Sequence, residues 1–238
     1  MSMDIDGMSE GWASVIRESS LLEGELPDVL VVIATIAGRE ELLERALKSI
    51  RGEEVPFAVI VERDVKGQGP AVVRNRGVAF GIQEYGFAPW IAFLDDDDEF
   101  KPGHLTKLVR HAEATDADVV YPWFDLKYGP SIDNSKDPLA MNGEPAFGQA
   151  FDPTVLDTGN FIPVTTLVST SMFRLVGGFP IPGSEEWPHM DCEDWALWRK
   201  LRDNGATFSH LPERTWQWNV HGKNTSGRPD AAKRIYGA

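Results

Sequence analysis

Four consecutive aspartates, Asp95 to Asp98, follow the apolar run Trp90-Ile91-Ala92-Phe93-Leu94. Carboxylates packed side by side repel one another and resist leaving water, so such a run must be well solvated, splayed apart or bound to a cation. Oxygen-only donors suit a hard divalent ion such as Mg2+ or Mn2+, which commonly takes one or two carboxylates together with substrate phosphates. Taken alone, the run reads equally as a solvated acidic turn ahead of a helix. A second acidic pair, Glu193-Asp194, opens the tryptophan-rich stretch EDWALWRKL. Taken alone, a carboxylate pair there balances the positive end of a helix. In the RNRG stretch from Arg74, the arginines at 74 and 76 cannot share a helix face, so at most one points at a ligand while the other ties down local carboxylates. Near the C-terminal end, His221 offers a metal or phosphate contact and Lys223 a counter-charge for phosphate, although an isolated histidine is as often an ordinary packed residue.

The elements that must hold these residues alternate. Apolar runs at 29 to 35, 57 to 61, 90 to 94 and 117 to 123 predict strands. Between them, helical spacing predicts helices over 39–50, 69–86 and 102–114, with Pro70 at a first helical position and Gly86 as a stop. Continuous apolar strands alternating with amphipathic helices predict an α/β fold whose mostly parallel central sheet carries helices on both faces. In such sheets ligands sit outside the carboxyl ends of the strands, where the four aspartates stand. Residues 125 to 162 break the rhythm and read as a long functional loop. A helix over 191–205 and a β-like tail from 207 follow. Residues 1–26 form an acidic arm with a short helix expected at EGWASVIRESSLL, ahead of one domain spanning 27–238.

Composition narrows the function classes. A length of 238 residues with 42% hydrophobic and 25% charged residues suits one globular domain. No run of about 18 apolar residues predicts a membrane span, and the N-terminus lacks a basic stretch leading into an apolar core, so a cytoplasmic protein is expected. A lone cysteine, Cys192, excludes a disulfide framework and a cysteine-rich metal site. The formal net charge of −14 disfavours nucleic acid and anionic membrane as partners. A small phosphate-bearing substrate would need positive charge supplied locally, and a divalent cation is the obvious source.

Five segments in order, VVIATIAGREELLERALKSI, VRNRG, FLDDDDEFKPGHLTKLV, MFRLVGGF and EDWALWRKL, resemble the family-2 glycosyltransferases over about residues 28 to 226. The resemblance implies a single GT-A domain of Rossmann-like type, with 27–123 as the nucleotide-sugar half and 124–238 as the acceptor half. It implies a Mn2+ or Mg2+ ion on Asp95 and Asp97, with Asp98 beside them; on its chemistry alone His221 is a further candidate ligand. Nucleotide-sugar contacts are expected from Thr35, from Glu62 or Asp64, and from Arg74, Asp95, Asp96, His221 and Lys223. The base that deprotonates a hydroxyl acceptor is expected at Asp194, with Glu193 as its neighbour in the pair. The tryptophans of the C-terminal third are candidates for stacking on sugar rings or for the core. The activity implied is transfer of a sugar from a nucleotide-diphosphate donor to a hydroxyl acceptor with inversion. A retaining or nucleotidyl-transferring enzyme and a non-catalytic sugar-binding module are the alternatives.

Overall fold

The computed structural model describes residues 17–22, 24–130, 149–181, 184 and 192–221. An eight-stranded sheet runs through them, its strands β1 (Arg17–Ser19), β2 (Val29–Thr35), β3 (Phe57–Arg63), β4 (Trp90–Asp95), β5 (Glu99–Phe100), β6 (Val119–Tyr128), β7 (Leu167–Ser169) and β8 (Phe208–Val220). Their spatial order is β1-β3-β2-β4-β7-β6-β8-β5. The long pairings β2–β3, β2–β4 and β6–β8 are parallel. Antiparallel pairings join β1 to β3, β4 to β7, β6 to β7 and β5 to β8 through two or three paired residues each. The sheet is therefore mixed, with parallel pairing along its long strands.

Strand β2 explains the layering. Its residues are buried on both sides, and alternate side chains enter different cores because successive Cβ atoms point to opposite faces. Val29, Val31 and Ile33 pack with Leu43, Ala46 and Leu47 of α1 (Glu40–Ser49) and with Leu105, Leu108 and Val109 of α3 (His104–Thr115). On the other face Val32 joins Ala71 and Val78 of α2 (Pro70–Tyr85). The same core holds Phe173 of α5 (Thr170–Leu175) and Leu197, Trp198 and Leu201 of α6 (Glu193–Asp203). Helix α2 lies close on the sheet because Gly77 and Gly81 face it; a Cβ on Gly77 would stand 2.7 Å from Val32 Cγ1.

Three expectations change. The arm's helix is not formed at residues 17–19, which pair in extended form against β3; residues 1–16 lie outside the described residues. The segment expected as loop from 125 begins as strand, since β6 runs to Tyr128. Aromatic packing across the β6–β8 pair favours that extension, with Phe124 and Trp216 ring centroids 4.9 Å apart and Phe124 and Trp218 5.4 Å apart. Further on, α4 (Pro153–Thr158) is capped by Asp152, whose side chain accepts the Thr154 and Val155 N–H groups; residues 131–148 lie outside the described residues. Among the described residues, no helix is long and apolar enough to cross a membrane.

Candidate functional site

From β2 the chain passes to β3 on one side, and β4 then returns to the other side of β2, so the carboxyl ends of β2 and β4 border the switch point where such sheets bind ligands. Thr35 ends β2 and Asp95 ends β4. Across that point the Thr35 hydroxyl donates to Asp96 Oδ2 at 2.7 Å.

The aspartates do not share one environment. Asp95 is partly exposed, while Asp96, Asp97 and Asp98 are buried. One oxygen each of Asp95, Asp97 and Asp98 lies within 4.8 Å of the others. Burial, reinforced by Asp95, pushes the Asp97 carboxyl above its ordinary range, against His221 and Arg39. Burial with Asp95 and Asp97 pushes Asp98 well above it. Asp96 rises to about 6, chiefly through burial, although Thr35 and Arg39 oppose the shift. Arg39 and His221 only partly offset this crowding and burial, and a hard cation with oxygen preference fits the three converging oxygens.

Two elements brace the turn. From α1 and the loop before it, Arg39 pairs with Asp96 and lies 3.4 Å from Asp97 Oδ2, while Arg45 donates to the Asp97 carbonyl at 3.2 Å and pairs with Glu99 at 3.1 Å. From β8 and the residue just past its end, alternate residues reach across to the turn. Gln217 donates to Glu99 at 3.2 Å, Asn219 donates its side-chain amide to the Asp97 carbonyl at 2.8 Å and its N–H to Asp98 Oδ1 at 2.9 Å, and His221 Nε2 meets Asp97 Oδ2 at 2.8 Å.

Arg74 links this turn to α6. Only 5% of its side chain is exposed, its guanidinium lies 5.5 Å from the Phe179 ring centroid, and it donates to Asp95 Oδ1 and Glu193 Oε1, both at 2.6 Å. Asn75 secures the Phe179 backbone: its Oδ1 accepts the Phe179 N–H and its Nδ2 donates to the Phe179 carbonyl, both at 2.9 Å. Asp194, beside Glu193, is partly exposed, and burial aided by Glu193 pushes its carboxyl up to about 7.

The structure thus brings Thr35, Arg74, Asp95, Asp96, Asp97, Glu193 and His221 into one connected set. Glu62 and Asp64 are engaged within their own connection. Glu62 is buried with its carboxylate on Arg76 Nε at 2.7 Å, and Asp64 accepts the loop N–H groups of Gln68 and Gly69 at 2.9 and 2.7 Å. Lys223 lies outside the described residues. Two helix tryptophans serve the framework: Trp195 Nε1 donates to the Leu156 carbonyl at 2.7 Å and Trp198 Nε1 to the Ile162 carbonyl at 3.0 Å. Arg39, Arg45 and Asn219 are missing from the sequence reading. The alternation Gln217-Asn219-His221 in a β-like tail is the one signal that could have pointed to Asn219.

A model of the family described as Glycosyl transferase family 2 matches residues 38–174, more than half of the chain. The chain belongs to glycosyl transferase family 2. The fold of this family-2 chain resembles that of S. aureus TarS, with a TM-score of 0.59 at 15% identity over 81% of this chain and 36% of that one. TarS 1–349 in complex with UDP gives 0.56 at 15% identity, covering 81% and 61% of the two chains. The complex with UDP-GlcNAc gives 0.55 at 15% identity, covering 80% and 58%. The family-2 chain therefore spans between about a third and three fifths of these structures, and the likeness is one of fold, GT-A. No curated protein matches it by sequence.

Proposed function

We propose that this chain transfers a sugar from a nucleotide-diphosphate donor to a hydroxyl acceptor, with inversion at the anomeric carbon. The observation that carries the reading is the acidic turn, where carboxylates of Asp95, Asp97 and Asp98 converge within 4.8 Å at the switch point of a family-2 fold. These three residues would hold Mg2+ or Mn2+, with His221 against Asp97 as a further donor. When bound, the ion supplies positive charge to the departing diphosphate.

The rest of the work falls to side chains. Thr35 and Asp96 form the floor between β2 and β4 on which the nucleotide lies. Arg74 holds Asp95 and Glu193 at a fixed separation, so Glu193 orients the head of α6. Asp194 takes the proton of the acceptor hydroxyl as the acceptor oxygen bonds to the anomeric carbon. The bond from that carbon to the diphosphate breaks, and its electron pair leaves with the nucleotide. A carboxyl titrating near 7 suits this transfer, because it is substantially ionised at neutral pH yet basic enough to accept a proton.

TarS structures hold UDP and UDP-GlcNAc, so uridine-diphosphate sugars are the first donors to try. Calorimetric titration of UDP and UDP-GlcNAc with Mn2+ or with EDTA tests the reading, followed by NMR of the product's anomeric signal. Binding that needs the cation, and an inverted product, are expected. Equal affinity in EDTA removes the cation from the scheme, and release of pyrophosphate from a nucleoside triphosphate offered together with a sugar phosphate assigns the chain to nucleotidyl transfer.

A further inference from the structure

Asp194 is held from outside its own helix by Asn160, a residue 7% exposed that follows α4. Asn160 Oδ1 accepts the Ile162 N–H at 3.1 Å, which fixes the amide orientation and leaves the other end as the donor. That end, Nδ2, donates to Asp194 Oδ2 at 3.1 Å. The second Asp194 oxygen, Oδ1, accepts the Trp195 N–H at 2.7 Å. The backbone around Asn160 is itself fastened to α6, since the indoles of Trp195 and Trp198 bond the carbonyls of Leu156 and Ile162 on either side of it. With the backbone held there, the amide can leave Asp194 only by giving up its bond from the Ile162 N–H.

We propose that Asn160 is a positioning residue for the general base, fixing the plane of the Asp194 carboxylate and the direction in which its open lone pairs face. The inference rests on the reading of Asp194 as the base. An unsupported carboxylate rotates about its terminal torsion over a broad, two-fold well. With one oxygen on a backbone N–H and the other on Asn160, that rotation is closed, and the lone pairs left over keep one direction toward an incoming hydroxyl. The groups around Asp194 do not replace this contact. Glu193 and Asp95 are negative and act against its charged form, and Arg74 favours that form but spends its two short bonds on those same carboxylates.

The test follows the Asp194 carboxyl carbon by NMR across the neutral pH range in wild type, Asn160→Ala and the isosteric Asn160→Asp, with the resonance assigned by its loss in Asp194→Asn. Nucleotide release from a panel of UDP-sugars is measured on the same proteins. Loss of the donor should raise the Asp194 midpoint by about one pH unit in Asn160→Ala, and by more in Asn160→Asp, where a like charge replaces the donor. The kcat should fall by about tenfold while KM stays within about twofold, the pattern of a contact that matters in the transition state. A midpoint unmoved in both variants overturns the proposal even if the melting temperature drops, since that describes a scaffold residue. A moved midpoint with wild-type kcat overturns it as well. A moved midpoint in proteins that release no nucleotide, wild type included, leaves the contact standing and removes the transferase reading instead.

Discussion

Arg74 and Glu193, 119 positions apart in the chain, meet at 2.6 Å, and the same guanidinium reaches Asp95 at 2.6 Å. One buried cation thus ties the carboxyl end of β4 to the first turn of α6. Removing it strands two carboxylates, so Arg74→Met should lose about 3 kcal/mol, the lower end for breaking a buried pair because Asp95 is 37% exposed. Arg74→Lys keeps the charge but cannot span both partners as a planar fork does. It should retain most of the stability in urea unfolding while losing at least about tenfold in kcat. Equal losses of stability in the two variants would show that charge without the fork does not hold the two carboxylates, and a wild-type kcat in Arg74→Lys would show that the fork geometry is irrelevant to turnover.

If Asp194 is the base proposed above, it should link stability and turnover to pH in opposite directions. Its folded pKa of about 7 stands above its ordinary 3.8, so between those values the folded chain holds a proton that the unfolded chain has released. Stability from this group is therefore full below about pH 4 and declines as pH rises toward 7. Asp194→Asn should flatten that decline in melting temperature recorded against pH. Transfer should instead rise through pH of about 7 in wild type, and fall by about 10²–10⁴-fold in the variant with donor affinity unchanged. Turnover within a few-fold of wild type would take Asp194 out of the mechanism.

Cation binding should be visible without any donor. Mn2+ at about a hundred times its dissociation constant stabilises a folded chain by about 2.7 kcal/mol, which reads as a rise in melting temperature. Asp97→Ala should lose most of this rise, together with at least about tenfold in donor affinity. The same rise in wild type and variant would exclude the acidic turn as the site.

Gly77 probes the seat of α2. Helix propensity alone favours alanine there by about 1 kcal/mol, but the new Cβ would lie 2.7 Å from Val32 Cγ1, on a β-branched side chain with little rotameric freedom. Gly77→Ala should therefore lower the urea midpoint, by about 1–3 kcal/mol in stability, as overpacking does. A raised midpoint would mean that the helix lifts from the sheet at no cost.

The first half of the fold is legible in the sequence because its strands are buried on both faces and its helices on one, a contrast that local periodicity reports directly. Helices α1 to α3 accordingly fall within about two residues of the spans that periodicity predicts. Strand β1 is not legible in this way, since three residues at a sheet edge carry no period of their own. In the candidate site, the acidic residue types are legible and their partners are not. Asn160 acts across 34 positions, Arg39 across 57 and Asn219 across 122, and no local pattern encodes which distant groups a turn will meet. The tryptophans of α6 show the same limit: their spacing tells of an apolar face, whereas their indole N–H groups find backbone carbonyls that only the packed fold brings near.

The support that β8 lends to the acidic turn also sets an order of events during synthesis. Asn219 follows Asp98 by 121 positions, so at about 5–20 residues per second a ribosome makes the turn roughly 6–24 s before the strand that steadies it. Throughout that interval the nascent carboxylates have only the part of their frame made before them, Thr35, Arg39, Arg45 and Arg74. The acidic turn is therefore complete only once β8 has been made, and a ribosome stalled short of Gln217 would display the aspartates with one of their two braces missing.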